Sequence, residues 1–246
     1  MTREHTGKIR WSRLLAYGGM MVLVLLGTVG FAPSVFAHGY IESPASRAYL
    51  CKQGENINCG PVMYEPQSVE GRGSFPQSGP PDGHIAGGGV FPDLDEQKVD
   101  RWKKVTLHGG KNTFKWYLTA PHSTKEWKYY ITKKGWNPNQ PLTRADLDPV
   151  FCYYNDGGAR PPSTVVHECN VPTDRSGYHL ILGVWEIADT GNAFYQAIDV
   201  NLVNNGSNSE IDMKTGGDPV EAIRDESLLS RLIDGYDGKV VKISNQ

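Results

Sequence analysis

The feature that most constrains the fold is a series of short segments after residue 100 in which apolar and polar side chains alternate. The alternation begins at Val105 and Leu107 and continues in 112–119, 127–131 and 197–202, while the more continuously apolar segment 178–185 is typical of a more deeply buried strand. Side chains with a period of two lie on opposite faces of a β-strand. Short strands separated by turns are typical of two sheets packed face to face. We therefore predict a mainly β chain, an immunoglobulin/fibronectin-type-III-like antiparallel β-sandwich, whose core holds Trp102, Trp116, Trp127 and Trp185.

Residues 43–100 show little periodic pattern, and residues 71–92 contain seven glycines and four prolines. This composition excludes a long helix or a central strand. We predict a long loop region that contains short helices. Long loops inside compact domains are usually functional when they are ordered. A mobile surface loop is the alternative, and the pattern alone does not separate the two.

The first 37 residues have the layout of a secretory signal. Basic residues come first, the uncharged run 14–32 follows, and Val35-Phe36-Ala37 is a small-residue exit. A run of this length could also span a bilayer as an uncleaved anchor, but its glycines and its exit favour cleavage after Ala37. We predict a signal peptide at 1–37, a sandwich domain at 38–203, and a linker with a short tail at 204–246, in which a helix could begin near Asp218.

Cleavage there would give a secreted, extracellular protein without membrane contact. It would remove four basic residues and one acidic residue, and the remaining 21 basic and 26 acidic residues give a net charge near −5. Nucleic-acid binding favours a basic face. The charge therefore argues against a nucleic-acid partner.

Four cysteines, Cys51, Cys59, Cys152 and Cys169, follow the signal. An even number of cysteines in an exported chain indicates disulfides, and four allow three pairings. We favour Cys51–Cys59 and Cys152–Cys169, because each nearest-neighbour bond would tie down a loop. A zinc site is the alternative, but the chain lacks a CxxC pair.

Cleavage after Ala37 would make His38 the first residue of the mature chain. A terminal histidine offers a free amine and a ring nitrogen to one metal ion, a pair that no internal histidine has. Among the other histidines, His122 follows a predicted strand, where a loop can present it at the end of a sheet.

Four sequence blocks resemble the bacterial lytic polysaccharide monooxygenases of auxiliary activity family ten, formerly called chitin-binding proteins. The first block, 38–47, begins at the predicted cleavage site, and the others follow in the family's order at 64–71, 120–123 and 185–196. The resemblance covers the chain from His38 to about Leu202. It therefore includes the whole predicted domain and excludes the tail.

The resemblance implies one copper ion per chain, held by the amine and ring of His38 and by His122. Imidazole and amine nitrogens suit copper, and the amine, with a pKa of about 7.7–8.0, can lose its proton to a metal at neutral pH. Phe194 matches a position beside the copper axis, where many relatives have tyrosine. Ala120 matches a small residue on the opposite side, and Glu70 matches an acid near the oxygen-binding position.

The resemblance also implies a flat substrate-binding face. Tyr64 would stack on a sugar ring, and a polar surface around it would comprise Glu65, Pro66, Ser68, Asp189, Thr190 and Asn192. The implied reaction is oxidative cleavage of crystalline chitin or a related N-acetylglucosamine polymer by a monomer, at carbon 1. It would use an external electron donor and oxygen or hydrogen peroxide. Cellulose remains a possible substrate.

Two other functions fit the same residues. An adhesin would bind N-acetylglucosamine polymers through the same face without cleaving them. A copper carrier would bind the metal and ignore the polysaccharide. Copper and ascorbate on β-chitin distinguish these functions, because only the enzyme releases oxidised oligosaccharides.

Overall fold

The computed structural model describes residues 37–204. The predicted signal peptide before Ala37 lies outside this range, and so do the tail beyond Asn204 and the helix predicted near Asp218. Within 37–204, the helices are too short and too polar to cross a membrane.

The described residues form nine strands and one short α-helix. The strands are β1 (His38–Ser43), β2 (Glu70–Arg72), β3 (Val105–His108), β4 (Gly110–Ala120), β5 (Thr124–Ile131), β6 (Cys152–Asn155), β7 (Thr164–Val171), β8 (Gly177–Ile187) and β9 (Asn192–Val203). The helix α1 is Arg47–Lys52, and 3₁₀ helices cover Gly60–Met63, Pro66–Ser68, Pro92–Asp95 and Arg144–Asp146. Most of the helical turns lie in the long loop region, as predicted.

The strands form two sheets. One has the order β1-β4-β7, and the other has the order β2-β9-β8-β5-β6. Strand β2 pairs with the beginning of β9, and β3 pairs with the end of β9 along the same edge. The predicted β-sandwich is confirmed. The β3–β9 pair is parallel, unlike the other strand pairs described here. Strand β3 follows the long loop region and is not joined to β9 by a hairpin. A hairpin would require antiparallel strands, so its absence allows the parallel pair.

The core between the two sheets is rich in aromatic rings. Trp116, Trp127 and Trp185 are fully buried, and the rings of Trp127 and Trp185 stack with their centroids 5.1 Å apart. Trp102 is buried as well, although it lies in a second core under the long loop region. The prediction that all four tryptophans are internal is confirmed.

The long loop region packs against the outer face of the larger sheet. Val62, Val69 and Phe75 are fully buried there, beside Tyr195 of β9. Strand β8 is therefore covered on both faces, which explains why residues 179–187 are all buried. The close approach of Gly71 to the Gly88 carbonyl leaves no room for a Cβ atom. Residues 71–92 are thus a packed layer, and the mobile-loop interpretation is wrong.

A buried ion pair fastens this layer to the sheet. The Arg47 guanidinium donates to both carboxylate oxygens of Asp199 at 2.7 and 2.9 Å, and the two side chains are 1% and 0% exposed. It also donates to the Leu94 carbonyl and to Gln97. One arginine therefore links α1, the loop and β9.

Both predicted disulfides are present. Cys51–Cys59 joins α1 to the residue that precedes the Gly60–Met63 helix, and Cys152–Cys169 joins β6 of one sheet to β7 of the other. The described residues contain no free cysteine. The nearest-neighbour pairing is confirmed.

Candidate active site

Several predicted site residues meet at one end of the sandwich. β1 begins there at His38, whose backbone pairs with Ala120 at the end of β4. The connection 121–123 to β5 carries His122. On the other sheet, Glu70 of β2 pairs with Phe194 of β9. Strand register therefore brings His38, Ala120 and His122 to the edge of one sheet, and Glu70 with Phe194 to the same end of the other.

His38 is held between the two sheets. Its ring centroid lies 6.3 Å from that of Phe194, with the rings tilted by 58°. At the next residue, a side chain larger than hydrogen would collide with Leu118 and Trp185, which requires Gly39. The sheets thus fix the backbone of His38 from both sides.

His122 presents a buried ring nitrogen without a hydrogen-bond partner. Its side chain is 12% exposed, and Asp189 Oδ1 lies 2.8 Å from His122 Nδ1. That approach is within ion-pair distance but outside hydrogen-bond geometry, so Nδ1 contacts the carboxylate without a hydrogen bond. The His122 carbonyl accepts from Thr124 Oγ1 at 3.0 Å, which fixes the backbone. A buried polar atom without a hydrogen bond is costly, and a neutral imidazole is a common metal ligand, so a metal bond is one way to satisfy such a histidine.

The donor set limits how a metal could bind. Across residues 37–204, histidine, cysteine, aspartate and glutamate side chains do not gather in a group of three that could hold an ion. The two histidines therefore need a further donor, and the main-chain amine of a terminal His38 would supply it. Two imidazoles and one amine are a nitrogen set that suits copper. The residues present fit the copper site implied by the sequence.

Phe194 and Glu70 complete the surroundings. Phe194 is fully buried against Trp185, with ring centroids 4.9 Å apart, so it offers an apolar wall. Glu70 is partly buried, and its Oε1 accepts from Asn192 Nδ2 at 2.8 Å. Ala120 is also partly buried. The carboxylate of Glu70 is thus oriented, with its second oxygen available to another donor.

Tyr64 is the most exposed large apolar side chain in the described chain, at 81%. The turn that carries it is anchored by Val62 and Val69, which are both fully buried. Its amide donates to the Pro61 carbonyl at 3.0 Å. The ring is therefore presented to solvent by a rigid backbone.

The other predicted substrate contacts differ in exposure. Asp189, Thr190 and Asn192 are exposed in the β8–β9 turn, and the Thr190 hydroxyl accepts from the Asn192 amide. Glu65 and Ser68 are partly buried. Pro66 is buried, because it starts the 3₁₀ helix that packs on β1. It therefore shapes the turn and is not exposed for a substrate contact.

The sequence did not predict that one further segment lies at this end of the sandwich. The β6–β7 loop, residues 156–163, hydrogen-bonds to the connection that carries His122. Its Asp-Gly-Gly and Pro-Pro residues signal a turn, but turn residues do not reveal which end of a sandwich they occupy.

Comparisons with known proteins decide the family. Residues 38–200 match the family described as lytic polysaccharide mono-oxygenase, cellulose-degrading. The chain belongs to the lytic polysaccharide monooxygenase family. Its resemblance to the bacterial members of auxiliary activity family ten is confirmed.

Solved structures of this monooxygenase family share the fold. The catalytic domain of a lytic polysaccharide monooxygenase from Listeria monocytogenes is 57% identical, with a TM-score of 0.67 over 68% of this chain and 100% of that chain. A CBM33 protein of Bacillus amyloliquefaciens, solved in complex with Cu(I), is 49% identical, with a TM-score of 0.64 over 68% of this chain and 100% of the other.

GlcNAc-binding protein A of Shewanella oneidensis is 52% identical over 179 residues, which are 72% of this chain and 38% of that protein. The chain thus spans about two fifths of the length of this relative.

Proposed function

We propose that this protein is a secreted, copper-dependent lytic polysaccharide monooxygenase that binds crystalline chitin and cleaves it oxidatively at carbon 1. The observation that carries the proposal is the pairing of His38 with Ala120 at the end of β4, directly before the connection that carries the mostly buried His122. The relatives named for GlcNAc binding support chitin as the polymer. The family description names cellulose, which is the alternative substrate.

His38 and His122 would hold the copper ion, once a signal peptidase has freed the amine of His38. Bound copper would supply one-electron redox chemistry towards oxygen or hydrogen peroxide, with electrons from an external donor. An acylated His38 nitrogen lacks the basic lone pair of an amine. Cleavage after Ala37 would therefore be required for metal binding.

The remaining residues would shape the surroundings of the ion. Phe194 would keep water from one side and would contribute no ligand, since its ring has no donor atom. Glu70, oriented by Asn192, could hold or deliver a proton at its free oxygen. Tyr64 would stack on a sugar ring and hold a monomeric enzyme flat on the polymer surface.

The test begins with mass spectrometry of the first residue of the exported protein, followed by copper titration. Protein that starts at His38 should bind one copper ion tightly and, with ascorbate, release soluble oxidised oligosaccharides from β-chitin. Addition of one residue before His38 should abolish tight binding and product release while the thermal unfolding curve is retained. Full activity of the extended protein would contradict the role of the terminal amine.

His122→Ala should have the same effect as the extension. His108→Ala is the matched control, because His108 is an exposed histidine at the end of β3, paired with the end of β9 remote from Phe194. Chitin binding without soluble products would favour an adhesin. Copper binding without affinity for chitin would favour a carrier.

A further inference from the structure

The β6–β7 loop, residues 156–163, lies at the same end of the sandwich as His122. Strand β6 runs towards this end, because Asn155 pairs with Glu126 near the start of β5. Strand β7 leaves it, because Thr164 pairs with Tyr117 near the end of β4. The loop therefore crosses from the larger sheet to the smaller one beside the connection that carries His122.

Three hydrogen bonds fix the loop in this position. Ser123 Oγ donates to the Gly158 carbonyl at 2.6 Å, and the Gly158 amide donates to the Thr124 carbonyl at 2.8 Å. The Thr124 amide donates to the Ala159 carbonyl at 2.9 Å. Arg160 follows directly, so its backbone is held next to the His122 connection.

The side chain of Arg160 is available to a ligand. It is exposed, and within 37–204 it takes part in no side-chain hydrogen bond or ion pair. Its guanidinium carries five donors and no acceptor. At the same end of the molecule, Glu65 and Asp189 supply acceptors and negative charge. This end of the sandwich therefore carries both acidic side chains and a cation that makes no side-chain hydrogen bond or ion pair within 37–204.

We propose that Arg160 is a substrate contact that selects acetylated sugar units. A guanidinium can donate to the carbonyl oxygen of an acetamido group, which is the acceptor that distinguishes N-acetylglucosamine from glucose. A deacetylated unit has lost this carbonyl and carries an ammonium group, which the positive charge of Arg160 repels. The inference rests on the proposed binding of chitin and names a residue that sets the preference within it.

The test compares binding isotherms of the full-length mature protein on β-chitin and on chitosan. Arg160→Ala should bind chitin about threefold to tenfold more weakly, as expected for a charge-assisted hydrogen bond in contact with solvent. Binding to chitosan should be unchanged or tighter, and copper affinity should not change. Arg160→Lys keeps the charge and should retain part of the preference.

Two lysines provide matched controls. Lys111→Ala removes one exposed charge at the start of β4, about 30 Å from Ala120 at the other end of the strand. Lys125→Ala removes one exposed charge from the start of β5, near the site but outside the loop. Neither variant should alter the ratio of chitin to chitosan binding.

Three results would overturn the inference. These are unchanged chitin binding by Arg160→Ala, an equal loss on both polymers, and the same change in ratio in Lys125→Ala, which would indicate a general charge effect. Failure of the unmodified protein to bind either polymer would instead overturn the proposed function. The two failures are therefore distinguishable.

Discussion

The buried pair of Arg47 and Asp199 allows a quantitative prediction of how much the free energy of unfolding falls when one partner is removed. Arg47 donates two hydrogen bonds to the carboxylate, and Tyr178 donates a third at 2.7 Å. The arginine also lies over the Trp102 ring, 4.3 Å from its centroid. Removal of one partner from a buried pair leaves an uncompensated charge and costs about 3–5 kcal/mol.

We expect Arg47→Met and Asp199→Leu each to lower the free energy of unfolding by about 3–5 kcal/mol. The double variant should lose much less than the sum, because no charge is then left unpaired. For a domain of this size, each single change corresponds to a fall in Tm of roughly 6–20 °C. Urea denaturation followed by tryptophan fluorescence, with both disulfides intact, measures the cycle. Additive losses would refute the reasoning, since they would show that the two charges are not coupled.

Three further predictions concern binding and stability. Tyr64→Ala should weaken chitin binding about tenfold without a change in copper affinity, whereas Tyr153→Ala, at an exposed tyrosine of β6, should leave the isotherm unchanged. Burial lowers the pKa of His167 to about 4, so the folded protein binds fewer protons than the unfolded chain. The free energy of unfolding should therefore fall by about 3 kcal/mol as the pH falls from about 6.5 to about 4. His167→Phe should reduce this loss in urea titrations. Replacement of Cys152 and Cys169 by serine should cost about 3 kcal/mol, and a variant with an unchanged Tm would contradict a clamp between the sheets.

The sequence predicted those strands in which the inner face is apolar. Strand β7 was missed because its inward residues include His167 and Cys169, which an apolar count does not register. Strand β1 was missed because its buried residues are consecutive and do not alternate with exposed ones. Gly39, Tyr40 and Ile41 are all buried, since Tyr49 of α1 stacks on Tyr40 and covers the outer face. Strand β2 has only three residues and is polar. Tertiary packing, and not local preference, determines these three.

The site divides in the same way. The predicted proteolytic exposure of His38 and the position of His122 after a strand follow from local sequence. The proposed roles of Glu70 and Phe194 came from family resemblance, because a loop carboxylate and a buried strand phenylalanine carry no signal of their own. Arg160 was missed because its neighbourhood depends on the direction of β6 and β7, two strands that the alternation did not reveal.

The register of β1 links the fold to the proposed chemistry. Ile41 is fully buried and pairs with Trp116, and Gly39 pairs with Leu118, so the core fixes how far β1 slides along β4. A slip of one residue would turn every side chain of β1 to the other face. His38 would then leave the side it shares with Phe194. The distance between the two histidines is therefore set by core packing several residues away. We predict that a substitution that leaves a cavity at Ile41 will weaken copper binding before it unfolds the domain.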